Sequence, residues 1–200
     1  MSEQHHEGND GQDDERSRER PDERHPRIWI GSLADYNNGI LHGEWVDAAV
    51  EDEVLVGRAR DIVARSETPD AEEWAIFDHE DFGPFKPGQY ETLDLIARVA
   101  RGIAEHGDAF GAWAEMHDAD PVAMDQFEVC YFGEYDEPAD WAREVTEDLD
   151  IEAKLREHFG DLQSRYFRFD ADGYARDAWI NGEIYIAHKD GGGCWIFSTC

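Results

Sequence analysis

The chain has 200 residues, with 48 Asp and Glu against 18 Lys and Arg, for a formal net charge of −30. Such a charge is repelled by phosphate backbones and anionic membrane surfaces, which argues against direct binding to nucleic acid or membranes and favours a basic partner built to hold DNA. Apolar residues at 40% and aromatics at 12%, including seven Trp, exclude an acidic disordered tail for most of the length.

No run approaches the roughly 20 apolar residues that span a bilayer, and the N-terminus lacks the apolar centre of a secretory signal. Cys130, Cys194 and Cys200 show neither a disulfide framework nor zinc-ligand spacing. The expectation is a cytoplasmic protein with reduced cysteines.

Residues 1–26 contain no aliphatic residue beyond Met1 and read as a disordered polar leader. The remainder keeps 39 acids and 14 bases, a net of −25, so the charge excess belongs to the folded part. Arg27 to Gly31 reads as a short strand, and Asp35-Tyr36-Asn37-Asn38-Gly39 as a dense turn signal. Ile40 to Ala49 returns as a second strand containing Trp45. Glu51 and Asp52 suit a helix N-terminus, and Leu55, Ala59, Ile62 and Val63 at i, i+4, i+7, i+8 predict an amphipathic helix over 53–66. Glu73 to Asp78 is a third strand, completing an N-terminal α/β lobe over 27–80.

The breaker cluster Gly83-Pro84-Phe85-Lys86-Pro87-Gly88 marks a boundary. Leu93, Ile96, Ala97, Ala100 and Ala104 then predict a helix to about His106. Phe110, Trp113, Ala114 and His117 lie along one face of another, giving a helical middle lobe over 81–120. In the C-terminal α+β lobe, 121–200, Phe127 to Phe132 is strand-like. A helix starts at Glu137-Pro138 with Trp141, Val145 and Leu149 as its apolar stripe. A short helix carries Leu155 and Phe159 before Gly160. Strands from Gly182 to His188 and Cys194 to Ser198 flank Asp190-Gly191-Gly192-Gly193. The class is α+β, elongated, in three small lobes with short mixed or antiparallel sheets. Trp29, Trp45, Trp74 and Trp141 are assigned to cores.

Acids occur on every predicted element. Glu137, Asp140, Glu144, Glu147 and Asp148 share one face of their helix opposite Trp141 and Val145, and i+3 and i+4 steps separate such carboxylates by roughly 4.5–6 Å along the axis. Duplex DNA carries one charge per about 1.7 Å, so two neighbouring stripes approach its density, and −25 matches roughly 12 base pairs. The same acid excess, with only Lys86, Lys154 and Lys189 as lysines, also suits a halophilic enzyme. Composition leaves both open.

Other sites are weaker. Asp170-Ala171-Asp172-Gly173 looks like a calcium loop, but its register puts Arg168 and Trp179 where carboxylates are needed, so it reads as a turn. His5-His6 sits in the leader. His79 among Asp78, Glu80 and Asp81 reads as a surface histidine, and Cys194 and Cys200 as structural thiols. No P-loop, dinucleotide fingerprint or nucleophile elbow occurs. No catalytic residue, cofactor or metal is expected.

Three segments resemble the ArdA family of antirestriction proteins. They are Ile28-Trp29-Ile30-Gly31-Ser32-Leu33-Ala34-Asp35-Tyr36-Asn37-Asn38-Gly39 with Leu41, Gly43 and Trp45; Glu73 to Glu80; and Tyr166 to Asp170 with Tyr174 to Asp177 and Gly182. The resemblance implies a non-enzymatic protein of three lobes that dimerises through the C-terminal one. Its acids imitate the phosphates of bent B-form DNA and occupy the DNA-binding groove of type I restriction-modification enzymes. Such proteins are usually encoded on mobile elements. The acids expected to contribute are Asp70, Glu72, Asp78, Glu80, Asp81, Glu91, Asp94, Glu105, Asp108, Glu115, Asp118, Asp120, Asp125, Glu134, Asp136, Glu137, Asp140, Glu144, Glu147 and Asp148. The leader, Arg58, Arg60 and Arg65, and the turn at 191–193 depart from the family pattern. Alternatives are a metal-dependent hydrolase with an acidic cleft and an acidic binding module for another basic DNA-binding protein.

Overall fold

The first strand alternates over its opening residues. In β1 (Arg27–Ser32) Ile28 and Ile30 are fully buried while Trp29 turns to the other face. A computed structural model describes residues 25–147 and 149–199; most of the expected leader, with His5 and His6, lies outside them, as do Asp148 and Cys200. Among the described residues the fold is α+β, with nine helices and two antiparallel three-stranded sheets.

Where a turn was expected after β1, a single helical turn forms instead, α1 (Leu33–Asn37). Ser32 caps it by accepting from the Asp35 N–H at 3.3 Å, which satisfies one of the amides a helix start leaves open. β2 (Gly43–Asp47) follows, shorter than the predicted strand. α2 (Asp52–Ala64) buries Leu55, Ala59, Ile62 and Val63, the residues its periodicity singled out. β3 (Trp74–Glu80) closes the sheet in the order β2-β1-β3. Trp29 faces Trp45 across β1 and β2 and Asp78 across β1 and β3. Trp29 and Trp45 are therefore half-buried on the outer face rather than in the core, because Ile28 and Ile30 take the inner one. Trp74 is also only partly buried, packed at the core's margin.

α3 (Leu93–His106) and α4 (Asp108–Met116) pack closely. A Cβ at Gly102 would lie 2.2 Å from the Phe110 ring, so only glycine permits this approach. Arg101 on α3 donates to the Val50 carbonyl at 2.5 Å and to Asp52 at 2.9 Å, tying α3 to the start of α2. α5 (Pro121–Asp125) starts on Asp120, whose carboxylate accepts from the Val122 and Ala123 amides at 3.0 Å each.

The strand expected from Phe127 is helical for its first four residues, α6 (Phe127–Cys130). Phe127 and Cys130, three apart, both enter the core, a spacing a strand cannot put on one face. β4 (Tyr131–Tyr135) begins only after them. α7 (Pro138–Glu147), α8 (Ile151–Ser164) and α9 (Ala171–Ile180) precede β5 (Ile184–His188) and β6 (Cys194–Ser198), and the second sheet runs β4-β6-β5.

The larger core joins β1, α2, α3, α4, α6 and β6. Trp113, 1% exposed, is central: its ring lies 5.1 Å from Phe197 and its indole N–H donates to the Ala123 carbonyl at 2.7 Å. A smaller core packs α7 on α9 through Ala139, Ala142, Ala171, Ala175 and Ala178, with Trp141 and Ile196. This corrects the predicted stripe of α7. Trp141 is buried, but Val145 and Leu149 are exposed, because the alanine face lets α9 approach closely. Asp170, read as part of a turn, is the N-cap of α9 and accepts from the Gly173 amide at 2.9 Å. Cys194 is a free, buried thiol. Cys130 is disulfide-bonded, which departs from the expectation of reduced cysteines.

Candidate functional site

The candidate acids lie on the surface of both sheets and of the helices between them. Asp70, Glu72, Asp78, Glu80, Asp81, Glu91, Asp94, Glu105, Glu115, Asp118, Asp120, Asp125, Glu134, Asp136, Glu137, Glu144 and Glu147 are exposed, Asp108 and Asp140 are half-buried, and Asp148 lies outside the described residues. Glu137, just before α7, and Asp140, Glu144 and Glu147 on it flank the helix away from Ala139, Ala142 and Thr146. The acid stripe therefore opposes the alanine face more squarely than it opposes Trp141 and Val145.

Several of these carboxylates are held by the fold. Glu80 lies 3.8 Å from Arg27 across the first sheet. Asp125 pairs with Arg98 between α5 and α3. Asp140 pairs with Arg143 at 2.5 Å and accepts from the Glu137 amide. Glu134 binds Lys189 and the Trp195 indole N–H, and the hydrogen bond from Lys189 holds its carboxyl below the ordinary range. A hydrogen bond from Thr92 does the same for Asp94. Glu115 accepts from the Lys86 amide. Asp70, Asp81 and Asp118 sit at positive φ, a region Asp tolerates better than most residues, so tight turns present their carboxylates.

Others have no basic partner among the described residues: Glu72, Asp81, Glu91, Asp118, Asp136, Glu144 and Glu147. Crowding unpaired carboxylates costs self-repulsion. Of the arginines that break the family pattern, Arg65 pairs with Glu44 at 2.8 Å, while Arg58 and Arg60 are exposed on α2.

Two arrangements were not legible in the sequence. The ligand atoms of Glu105, His106 and Glu128 lie within 4.8 Å of one another where α3 ends beside α6. His106 packs its ring on Phe110 and Phe127, with its Nε2 3.8 Å from Glu105 and 3.9 Å from Glu128. The carboxylates are 73% and 77% exposed, so water solvates most of their charge. His79, the histidine singled out from the sequence, is half-buried and edge-on to Phe82 instead.

The second is Asp35, an acid with no exposed surface that accepts from the Thr68 hydroxyl. The spacing Ser32-x-x-Asp35 is the trace by which the buried helical turn could have been found. Cys194 offers little nucleophilicity, since burial, followed by the nearby Asp140 and Glu134 charges, pushes its thiol upward.

A family model described as antirestriction protein (ArdA) matches residues 28–191. The chain belongs to the ArdA family. A search of curated proteins finds no match. ArdA proteins are a non-catalytic antirestriction family, and membership implies antirestriction function for this chain. In this ArdA chain no helix of the described residues is long and apolar enough to cross a membrane.

Proposed function

We propose that this ArdA-family protein acts by imitating B-form DNA and occupying the DNA-binding groove of a type I restriction-modification enzyme, without catalysis, in the cytoplasm and as a homodimer. The observation that carries this reading is the exposure of carboxylates on both sheets and on most of the helices, many without a basic partner among the described residues. An enzyme cleft needs a few converging acids; a surrogate for a polyanion needs many dispersed ones. The acids named above share the contact, each contributing little.

A groove lined with Lys and Arg to neutralise phosphates meets a comparable density of charge on this surface. Counterion release then drives binding, association is fast at low salt, and affinity falls as salt rises. Inhibition is competitive with DNA. The test is a gel-shift competition between the purified protein and a labelled recognition duplex for a type I methyltransferase, at low and high salt. Salt-sensitive displacement of the duplex supports mimicry. Failure of the folded protein to displace DNA from several type I enzymes overturns it.

A further inference from the structure

Where α3 ends beside α6, side chains from two helices converge. The ligand atoms of Glu105, His106 and Glu128 all lie within 4.8 Å of one another. The histidine sets this group apart from the dispersed acids elsewhere. Its side chain is only 24% exposed, and its ring stacks on Phe110 at 5.9 Å and packs on Phe127 at 4.9 Å. Two aromatic neighbours restrain the imidazole with its Nε2 beside both carboxylates.

Direct pairing does not account for the arrangement. Nε2 lies 3.8 Å from Glu105 and 3.9 Å from Glu128, beyond the about 2.7–3.2 Å of an N–H···O hydrogen bond. No Lys or Arg pairs with either carboxylate among the described residues, so two like charges stand close together at a cost. The C-terminal end of α3, where helix carbonyls carry partial negative charge, adds to the same negative field. Zinc bound by nitrogen and oxygen at about 2.0–2.2 Å holds tetrahedral ligand atoms about 3.4 Å apart. The gaps from Nε2 exceed that by roughly half an ångström, which rotation of two exposed glutamate side chains closes.

We propose that Glu105, His106 and Glu128 bind a divalent transition-metal ion of the zinc class, with water at the fourth position. One imidazole with two carboxylates suits zinc, whereas magnesium and calcium favour oxygen ligands throughout. The ion is structural. It ties the last turn of α3 to α6 beside the packing of Phe110 on Phe127. It also withdraws Glu105 from the acidic surface, since a carboxylate on a cation no longer stands in for a phosphate. The site does not depend on DNA mimicry.

The test is zinc binding to the full chain, freed of metal with EDTA and dialysed, in competition with a chromophoric zinc indicator. His5, His6 and the many acids elsewhere also attract zinc, so the site is read as a difference between proteins. His106→Gln and Glu128→Gln should each weaken the tightest zinc binding by at least about tenfold, as loss of even a residue supporting a metal ligand does. The Glu128 side chain is 77% exposed, so its replacement should leave the circular dichroism unchanged, whereas His106→Gln also loses ring packing. Glu144→Gln, an acid outside any such group among the described residues, should bind zinc as the unaltered chain does. Zinc should raise the melting temperature of the unaltered chain more than that of Glu128→Gln, a difference that magnesium should not produce. Equal zinc affinity in the unaltered chain and Glu128→Gln overturns the proposal, as does an unaltered chain that takes no zinc from the indicator. DNA displacement plays no part in this readout, so failure of the metal site and failure of mimicry are told apart.

Discussion

The Thr68 hydroxyl donates a 2.5 Å hydrogen bond to the carboxylate of Asp35, which is wholly buried 33 residues earlier in the chain. The contact fastens the loop after α2 to the turn after β1. It holds the Asp35 carboxyl below its ordinary value of 3.8, with desolvation opposing and Ser66, Ser32 and His42 helping. Thr68→Val removes the donor and leaves a buried charge short of a partner. It should lower the melting temperature by several degrees, checked by thermal circular dichroism. Because the folded pKa is depressed, the contribution is complete above 3.8 and disappears as pH falls through the folded value. The Thr68→Val deficit should therefore shrink in that acid window.

His117 supplies a second pH dependence in a higher window. It follows α4, with its ring 4.1 Å from Trp113 and edge-on to Tyr185 at 5.9 Å. Its Nε2 is buried with no hydrogen-bond partner among the described residues. Burial lowers its pKa from 6.5, and the Asp120 and Asp118 charges only partly offset this. The unfolded imidazole takes up a proton below 6.5 before the folded one does. Stability is thus full above pH 6.5, falls as pH drops through this window, and levels off below the folded pKa. His117→Phe should flatten that step in urea-unfolding free energies measured between pH 7 and pH 5. A step unchanged in the variant would assign it to another group.

Gly102 tests the close approach of α3 and α4. In an unhindered helix Gly→Ala stabilises by up to about 1 kcal/mol. Here the added Cβ meets the Phe110 ring at 2.2 Å, and that ring also packs on His106 and Phe127. Overpacking costs about 1–3 kcal/mol, so the net sign should be destabilising. Urea denaturation of Gly102→Ala should give a lower midpoint with an unchanged slope.

The elements legible in the sequence were those whose burial follows a single period. Ile28 and Ile30 alternate, and Leu55, Ala59, Ile62 and Val63 keep the helical spacing. The misreadings came where size and sequence distance matter. Around α7 the large Val145, and Leu149 beyond its end, outweighed Ala139 and Ala142, although small residues are what let α9 pack. At Phe127 to Phe132 a short apolar run fits strand and helix alike. Glu105 and Glu128 meet at His106 only through the packing of α3 on α6, which no local pattern encodes. The acids were visible as residue types, but their partners were not: Arg98 meets Asp125, and Lys189 meets Glu134, across 27 and 55 residues.

Dispersed charge and a catalytic cluster predict opposite responses to mutation. Single neutralisations such as Glu144→Gln should change DNA displacement by less than about twofold, since an exposed charge contributes little alone. Asp81→Asn, Glu91→Gln, Asp118→Asn, Asp136→Asn, Glu144→Gln and Glu147→Gln together should weaken it by on the order of 10³ at low salt and flatten its salt dependence. Asn is chosen at 81 and 118 because both positions hold positive φ, which Asn tolerates as Asp does. The fold should survive, since none of the six acids is in an ion pair among the described residues. His106→Ala is the counter-test, because Glu105, His106 and Glu128 are the described residues with metal-ligand spacing. Mimicry requires that it leave displacement intact. Loss of displacement with His106→Ala, alongside full function in the six-fold variant, would move the reading to a metal-dependent site.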